Sequence, residues 1–107
     1  MEVKYLPSAK RRMIEIWDFT KRRWGEAQAD QYLRGMAEAM DLAKEQPERW
    51  HPVNDEALPE VYFVRYQRHL LFFRIFSPDL VGVISILHDN MNIPIRLKED
   101  AEWNNEE

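Results

Sequence analysis

The chain has 107 residues, enough for one domain, and its 45% hydrophobic and 32% charged residues are the balance of a globular protein. It contains no cysteine, which excludes disulfides and thiolate metal sites and suits a reducing cytoplasm. The net charge of −4 hides an asymmetry: residues 99–107 carry five acids and no base, while the other 98 hold 15 Lys and Arg against 14 Asp and Glu.

A near-neutral body is not the basic stripe by which proteins grip nucleic acid through its phosphates. No apolar run is long enough to cross a bilayer, and the charged, alternating start does not resemble a signal peptide. The acidic stretch reads as a solvated tail, so residues 1–98 are expected to form one domain and 99–107 a tail. Trp103 is the one residue of that tail suited to docking.

Glu2-Val3-Lys4-Tyr5-Leu6 alternates polar and apolar, the pattern of a short strand with one buried face. Pro7 ends it, and Ser8 is the expected N-cap of a helix. Ala9, Met13, Ile16, Trp17, Thr20 and Trp24 then recur at helical spacing. Lys10, Arg11 and Arg12 fall at the end of this helix where the dipole disfavours cations, and Lys21, Arg22 and Arg23 at the end where it favours them. Gly25 is the expected stop. A second helix runs to about Gln46 on a face of Ala29, Tyr32, Leu33, Met36, Met40 and Ala43. The tight connection makes the two helices an antiparallel hairpin. Gly35, with Ala39 one turn on, is expected to mark a close approach to the first helix. Residues 48–59 read as a loop, in which Trp50 is either a core plug or an exposed anchor and His51 a solvated side chain.

Val61 to Tyr66 and Leu70 to Phe76 are dense in Val, Ile, Phe and Tyr and pair as a hairpin across Gln67, Arg68 and His69. Ser77-Pro78-Asp79 opens a turn that Gly82 is expected to close. Val83 to Leu87 is a further strand, delivering His88, Asp89, Asn90, Met91 and Asn92 to the sheet end. Ile93 to Leu97 is a short apolar segment. The order β-α-α-β-β-β predicts an α+β fold, a helical hairpin on one face of a small twisted antiparallel sheet. Both faces of the hairpin strands are apolar, so the uncovered face is expected to bind something, and the chain looks like half of a complex.

No GxGxxG, P-loop, HExxH or GxSxG motif is present, and the three histidines lack metal-ligand spacing. No metal or other cofactor is expected. Arg65, Arg74 and His88 on neighbouring strands are the nearest approach to a phosphodiester-cleaving set, a cation with an acid or base. The favoured reading makes the arginines edge or partner contacts and His88 a strand-end residue bonded to backbone.

Several segments together resemble one family. They are Leu6-Pro7-Ser8-Ala9, Ile16-Trp17-Asp18-Phe19, Arg23-Trp24-Gly25-Glu26-Ala27-Gln28-Ala29, Leu71-Phe72-Phe73-Arg74-Ile75 and Ile86-Leu87-His88-Asp89-Asn90-Met91-Asn92. In this order they resemble ParE-type toxins of the RelE/ParE superfamily, over roughly residues 2–97. The resemblance implies a bacterial cytoplasmic toxin neutralised by a ParD-like antitoxin, which would fill the groove between helical hairpin and sheet. It also implies inhibition of DNA gyrase by binding, with no enzymatic activity and no sequence-specific nucleic-acid binding by the toxin alone. Two alternatives are a RelE-like ribosome-dependent mRNA endoribonuclease and a non-toxic member that keeps only antitoxin binding. Where many ParE-like chains carry an arginine after the last-strand histidine, this one has Asn90 and Met91. On this resemblance Arg65, Arg68, Arg74, His88 and Arg96 are expected to face the target, and Trp17, Trp24, Phe72 and Leu97 the antitoxin.

Overall fold

The computed structural model describes residues 1–105. Strand β1 (Glu2–Tyr5) leads into helix α1 (Pro7–Trp24), helix α2 (Glu26–Ala43), a 3-10 turn at Pro47–Arg49 and the two-residue strand β2 (His51–Pro52). Strands β3 (Val61–Tyr66), β4 (His69–Ser77) and β5 (Leu80–His88) follow, then helix α3 (Ile93–Asn105). The sheet order is β1-β5-β4-β3-β2, with β1 parallel to β5 and the other pairs antiparallel. The α+β class and the helical hairpin are as expected; β2, too short to show in the sequence, and α3 are additions.

Gly25 joins the helices at φ 95° and ψ 167°, a region open essentially to glycine alone. It is at once the end of α1 and the residue before α2. The hairpin covers one sheet face with Ala9, Ile16, Met36, Met40 and Ala43 against Val64, Leu71, Phe73, Val81, Val83 and Ile86. Trp50 resolves as a core plug: its indole donates to the Ala43 carbonyl at 2.8 Å and its ring packs on Tyr62 and Phe73. His51 is exposed but lies in β2, stacked on Phe63. Two glycine expectations change. A Cβ at Gly35 would overlap the Tyr66 hydroxyl, so the close approach is to β3 and not to α1. Gly82 lies inside β5 beneath the Phe76 ring, and the turn before it is Pro78–Asp79.

The second sheet face is where sequence and structure part. It is covered from within the chain: Leu97 of α3 packs on Leu58, Val61, Leu70, Phe72, Ile84 and Leu87. Burying Leu97 to 2% exposure contributes about 2 kcal/mol. The stretch that charge alone set apart as a solvated tail is therefore helical through Asn105 and continuous with residues 93–98; Glu106 and Glu107 lie outside the described residues. A β-bulge assists. Phe72 pairs with Ser85 and Phe73 with Val83, so Ile84 is an extra residue in β5. The bulge turns Ile84 and Ser85 both toward α3.

Polar contacts lock the helix in place. Asp100 is fully buried and accepts hydrogen bonds from Arg12 Nε at 3.0 Å, Arg12 Nη2 at 3.0 Å, Arg11 Nη2 at 3.1 Å and Ser85 Oγ at 2.5 Å. The hydrogen bond to Asp100 raises the Arg12 guanidinium above its ordinary range. Trp103 docks under the Arg11 guanidinium, 5.2 Å from its ring centre. Ser8 is not the N-cap, a place taken by Leu6 with Pro7 at the first helical position. The Ser8 hydroxyl instead donates to the Ile84 carbonyl beyond the end of β1, and the Ser8 amide donates to Asn104 Oδ1 at 3.1 Å.

Asp100→Asn leaves two guanidinium groups without their carboxylate, a change of the kind that costs about 3 kcal/mol. Urea unfolding should show that loss, together with faster hydrogen exchange across α3; a loss under about 1 kcal/mol would mean that the carboxylate does not hold the helix.

Candidate functional site

A cavity of about 710 Å³ opens between α1, the start of α2 and the end of the sheet where the β3–β4 hairpin turns. Helix α1 lends it Ile16, Phe19, Thr20 and Trp24, and α2 lends Gln28 and Tyr32. The hairpin turn contributes Gln67, Arg68 and His69, and the end of β5 contributes Ile86, His88, Asn90 and Met91. Phe19 and Trp24 are 58% and 63% exposed, unusual for large apolar side chains on neighbouring turns of one helix.

The turn itself is tight: Tyr66 pairs with His69, leaving only Gln67 and Arg68 between the strands. Gln67 sits at φ 54°, a conformation that costs a non-glycine residue about 1 kcal/mol and projects Arg68 from the sheet end. Asp89 gathers the basic groups there. It accepts from Arg65 Nη1 at 2.9 Å, from Arg68 Nε at 2.9 Å and from Arg68 Nη2 at 3.1 Å. The hydrogen bonds from Arg68 and Arg65 pull its carboxyl down to about 2. His88 adjoins the cluster, with Nδ1 3.3 Å from Asp89 Oδ1 and accepting from the Asn90 amide at 3.2 Å.

Deeper in, Tyr32 and His69 form a second polar pair, 2.7 Å from hydroxyl to Nδ1. Burial pushes the His69 imidazole down to about 4, with the neighbouring His88 adding to the shift. Burial likewise pushes the Tyr32 hydroxyl up to about 12. At neutral pH both are uncharged, and the His69 tautomer sets which of the two donates. The edge of the His69 ring meets His88 at 5.2 Å between centres.

Of the residues expected to face a target, Arg65, Arg68 and His88 therefore meet around one carboxylate. Arg74 lies at the other end of β4, opposite Gly82, and Arg96 is on α3, 3.4 Å from Glu99. Of those expected to face an antitoxin, Trp24 lines the cavity. Trp17 bonds Asp30 of α2 at 2.8 Å and lies beneath Lys21. Phe72 and Leu97 are buried against each other's cluster beneath α3, which removes them from any surface of this conformation. From sequence, Asp89 is placed at the sheet end without a role, and Tyr32, His69 and Phe19 are given no part in a site. Asp89 stood beside His88 in view, but nothing in its spacing shows that two arginines from other strands converge on it.

The ParE toxin family, described as the ParE toxin of the type II toxin–antitoxin system parDE, matches residues 3–93. The chain belongs to the ParE toxin family. It is 37% identical over 95 residues to Toxin ParE1 of Mycobacterium tuberculosis, covering 87% of this chain and 96% of that one. It is 32% identical over 85 residues to Toxin ParE1 of Caulobacter vibrioides, covering 78% and 84%. A solved chain of the chromosomal ParDE system from P. aeruginosa superposes with a TM-score of 0.66 at 16% identity, covering 82% of this chain and 95% of that one, which is a likeness of fold. The ParE family match ends at residue 93, where α3 begins.

His69 gives a pH signature to this site. Its folded value lies below the ordinary 6.5, so the unfolded chain binds the extra proton between about 6.5 and 4. Stability is highest above 6.5 and falls as pH drops through that window. The thermal midpoint should decline over this range, and His69→Gln should flatten the decline; an unchanged slope in the variant would place the titration elsewhere.

Proposed function

We propose that this ParE-family toxin is held inactive by a ParD-like antitoxin seated in the α1 cavity and, when free, inhibits DNA gyrase through the arginine rim at the sheet end. The observation that carries the antitoxin half is the pairing of exposed Phe19 and Trp24 with a large cavity that α3 leaves open. Clustered aromatic side chains beside a concavity are the usual anchors of a protein interface. The target half rests on Arg68 and His88, which line that cavity, and on Arg65, which shares the Asp89 carboxylate with Arg68 beside it. An antitoxin filling the cavity would cover them, which couples neutralisation to target release. Arg96 would lie outside this contact.

A mode of action by binding fits the arrangement better than mRNA cleavage does, because Arg74 lies at the far end of β4 from Arg65 and His88, so the three are not brought together as a cleaving set. The site of action in this reading is the bacterial cytoplasm; no helix among the described residues is long and apolar enough to cross a membrane.

The test is gyrase supercoiling of relaxed plasmid with purified, antitoxin-free protein. Inhibition is expected, and the double variant Arg65→Ala/Arg68→Ala should lose about tenfold or more in potency while folding normally. Absence of inhibition, with translation arrested in cells instead, would overturn the gyrase reading. Phe19→Ser/Trp24→Ser should weaken antitoxin binding by about 30-fold or more in calorimetry, the loss expected of hot-spot aromatics. Full affinity in that variant would move the antitoxin off this cavity.

A further inference from the structure

Helix α3 does not cover the whole second face of the sheet. Beside its last turns lies a separate cleft of about 330 Å³, at the opposite end of β4 from the arginine rim. Leu6, Pro7, Phe76, Ile84 and Ala101 make its apolar surface, and Asn104 and Arg74 are its polar members. Arg74 points to this face because the alternation of β4 sends Phe73 into the helical-hairpin core and Phe72 under α3.

Three features of the cleft are unusual together. Arg74 Nε is buried and has no hydrogen-bond partner among the described residues. Among the described residues no acidic side chain lines the cleft. Asn104, the other polar group, is already committed at both ends of its amide: Oδ1 accepts from the Ser8 amide at 3.1 Å and Nδ2 donates to Ser8 Oγ at 2.7 Å. A buried guanidinium nitrogen that donates to nothing is a standing cost, and native structures keep few such groups without a reason. Beside it the Phe76 ring, half exposed, lies over Gly82, where any Cβ would displace it. The strand thus holds an aromatic platform next to an unanswered cation.

We infer that this cleft is a carboxylate-binding subsite, taking an acidic side chain flanked by apolar residues from a partner protein. A carboxylate matches the fork of a guanidinium and satisfies the buried Nε. The flanking apolar side chain would cover Phe76, Leu6 and Pro7. Nucleic-acid phosphates fit less well, since they come in series and need several cations, and Arg74 is the one cation that lines the cleft among the described residues. The subsite is independent of the gyrase and antitoxin assignments. Two of its walls, Ala101 and Asn104, belong to the helix beyond the stretch matched by the ParE family.

The test follows the arginine Nε–H resonances of ¹⁵N-labelled protein, with Arg74→Lys identifying the signal. The probes are the blocked peptide acetyl-Leu-Glu-Leu-amide, its glutamine counterpart and inorganic phosphate. The glutamate peptide should move the Arg74 signal downfield in a saturable way, and the glutamine peptide should bind at least about tenfold more weakly. Arg74→Lys, which keeps the charge and loses Nε, should bind more weakly as well, with its backbone amide spectrum otherwise unchanged. Equal response to both peptides, a stronger response to phosphate, or none up to about 10 mM peptide would each overturn the proposal. It would also fall if the signal were already shifted in the free protein and returned on substituting Glu106→Gln and Glu107→Gln, since the chain's own terminus would then be the occupant.

Discussion

Asp100 is a carboxylate with no access to water, and the arrangement of the rest of the molecule follows from satisfying it. A buried charge is costly by several kcal/mol unless it is paired and hydrogen-bonded. Arg11 and Arg12 meet that demand from the first turns of α1, and Ser85 from the bulged part of β5. The same contact explains two basic residues at a helix end where the backbone dipole disfavours them: the local penalty is offset by a carboxylate supplied from α3. With Asn104 also bonded to Ser8, α3 is fastened at successive turns, and Leu97 is held down over Phe72 and Ile84. One ion cluster thereby converts an apolar sheet face into a second core.

Closing that face decides where a partner can bind. What stays open is the flank of α1, with Phe19 and Trp24 beside the cavity, and the small cleft at Arg74. The molecule uses a carboxylate twice in different ways. Asp100 gathers two arginines in the dark and serves the fold. Asp89 gathers two arginines at the surface and orients them toward whatever approaches the sheet end. Surface pairs of this kind contribute little stability, so their value lies in pre-setting the direction of the donors.

Much of this was legible from residue order alone. The strand-helix-helix-strand-strand-strand order, the Gly25 break and a hairpin turning at Gln67, Arg68 and His69 follow from periodicity and turn chemistry, although His69 is already the first residue of β4; the segments that carried the family resemblance are the start and middle of α1, the helix junction, the middle of β4 and the end of β5. Helix α3 was missed for a physical reason. Ile93, Leu97 and Ala101 recur every four residues, the spacing of a helix stripe, but the acid-rich composition from residue 99 suggested a boundary across it. Composition cannot show that one acid in that run is buried against two distant arginines.

The same limit explains Phe72 and Leu97. Pattern reading identified an apolar face that needed covering, but not that the cover came from the chain itself. Gly35 shows the limit on a smaller scale, since a glycine signals a close approach without naming the neighbour, here Tyr66. The convergence of Arg65, Arg68 and His88 on Asp89 depends on strand register, which no local pattern encodes.

The central claim is that α3 remains seated while the partner binds along α1. Hydrogen exchange of the toxin alone and in complex with its co-expressed antitoxin tests this directly. New protection is expected across the second half of α1, the start of α2 and the end of β5, with exchange in α3 unchanged. Faster exchange of residues 96–105 in the complex would contradict it, because it would mean that the antitoxin displaces α3 and takes the second sheet face for itself.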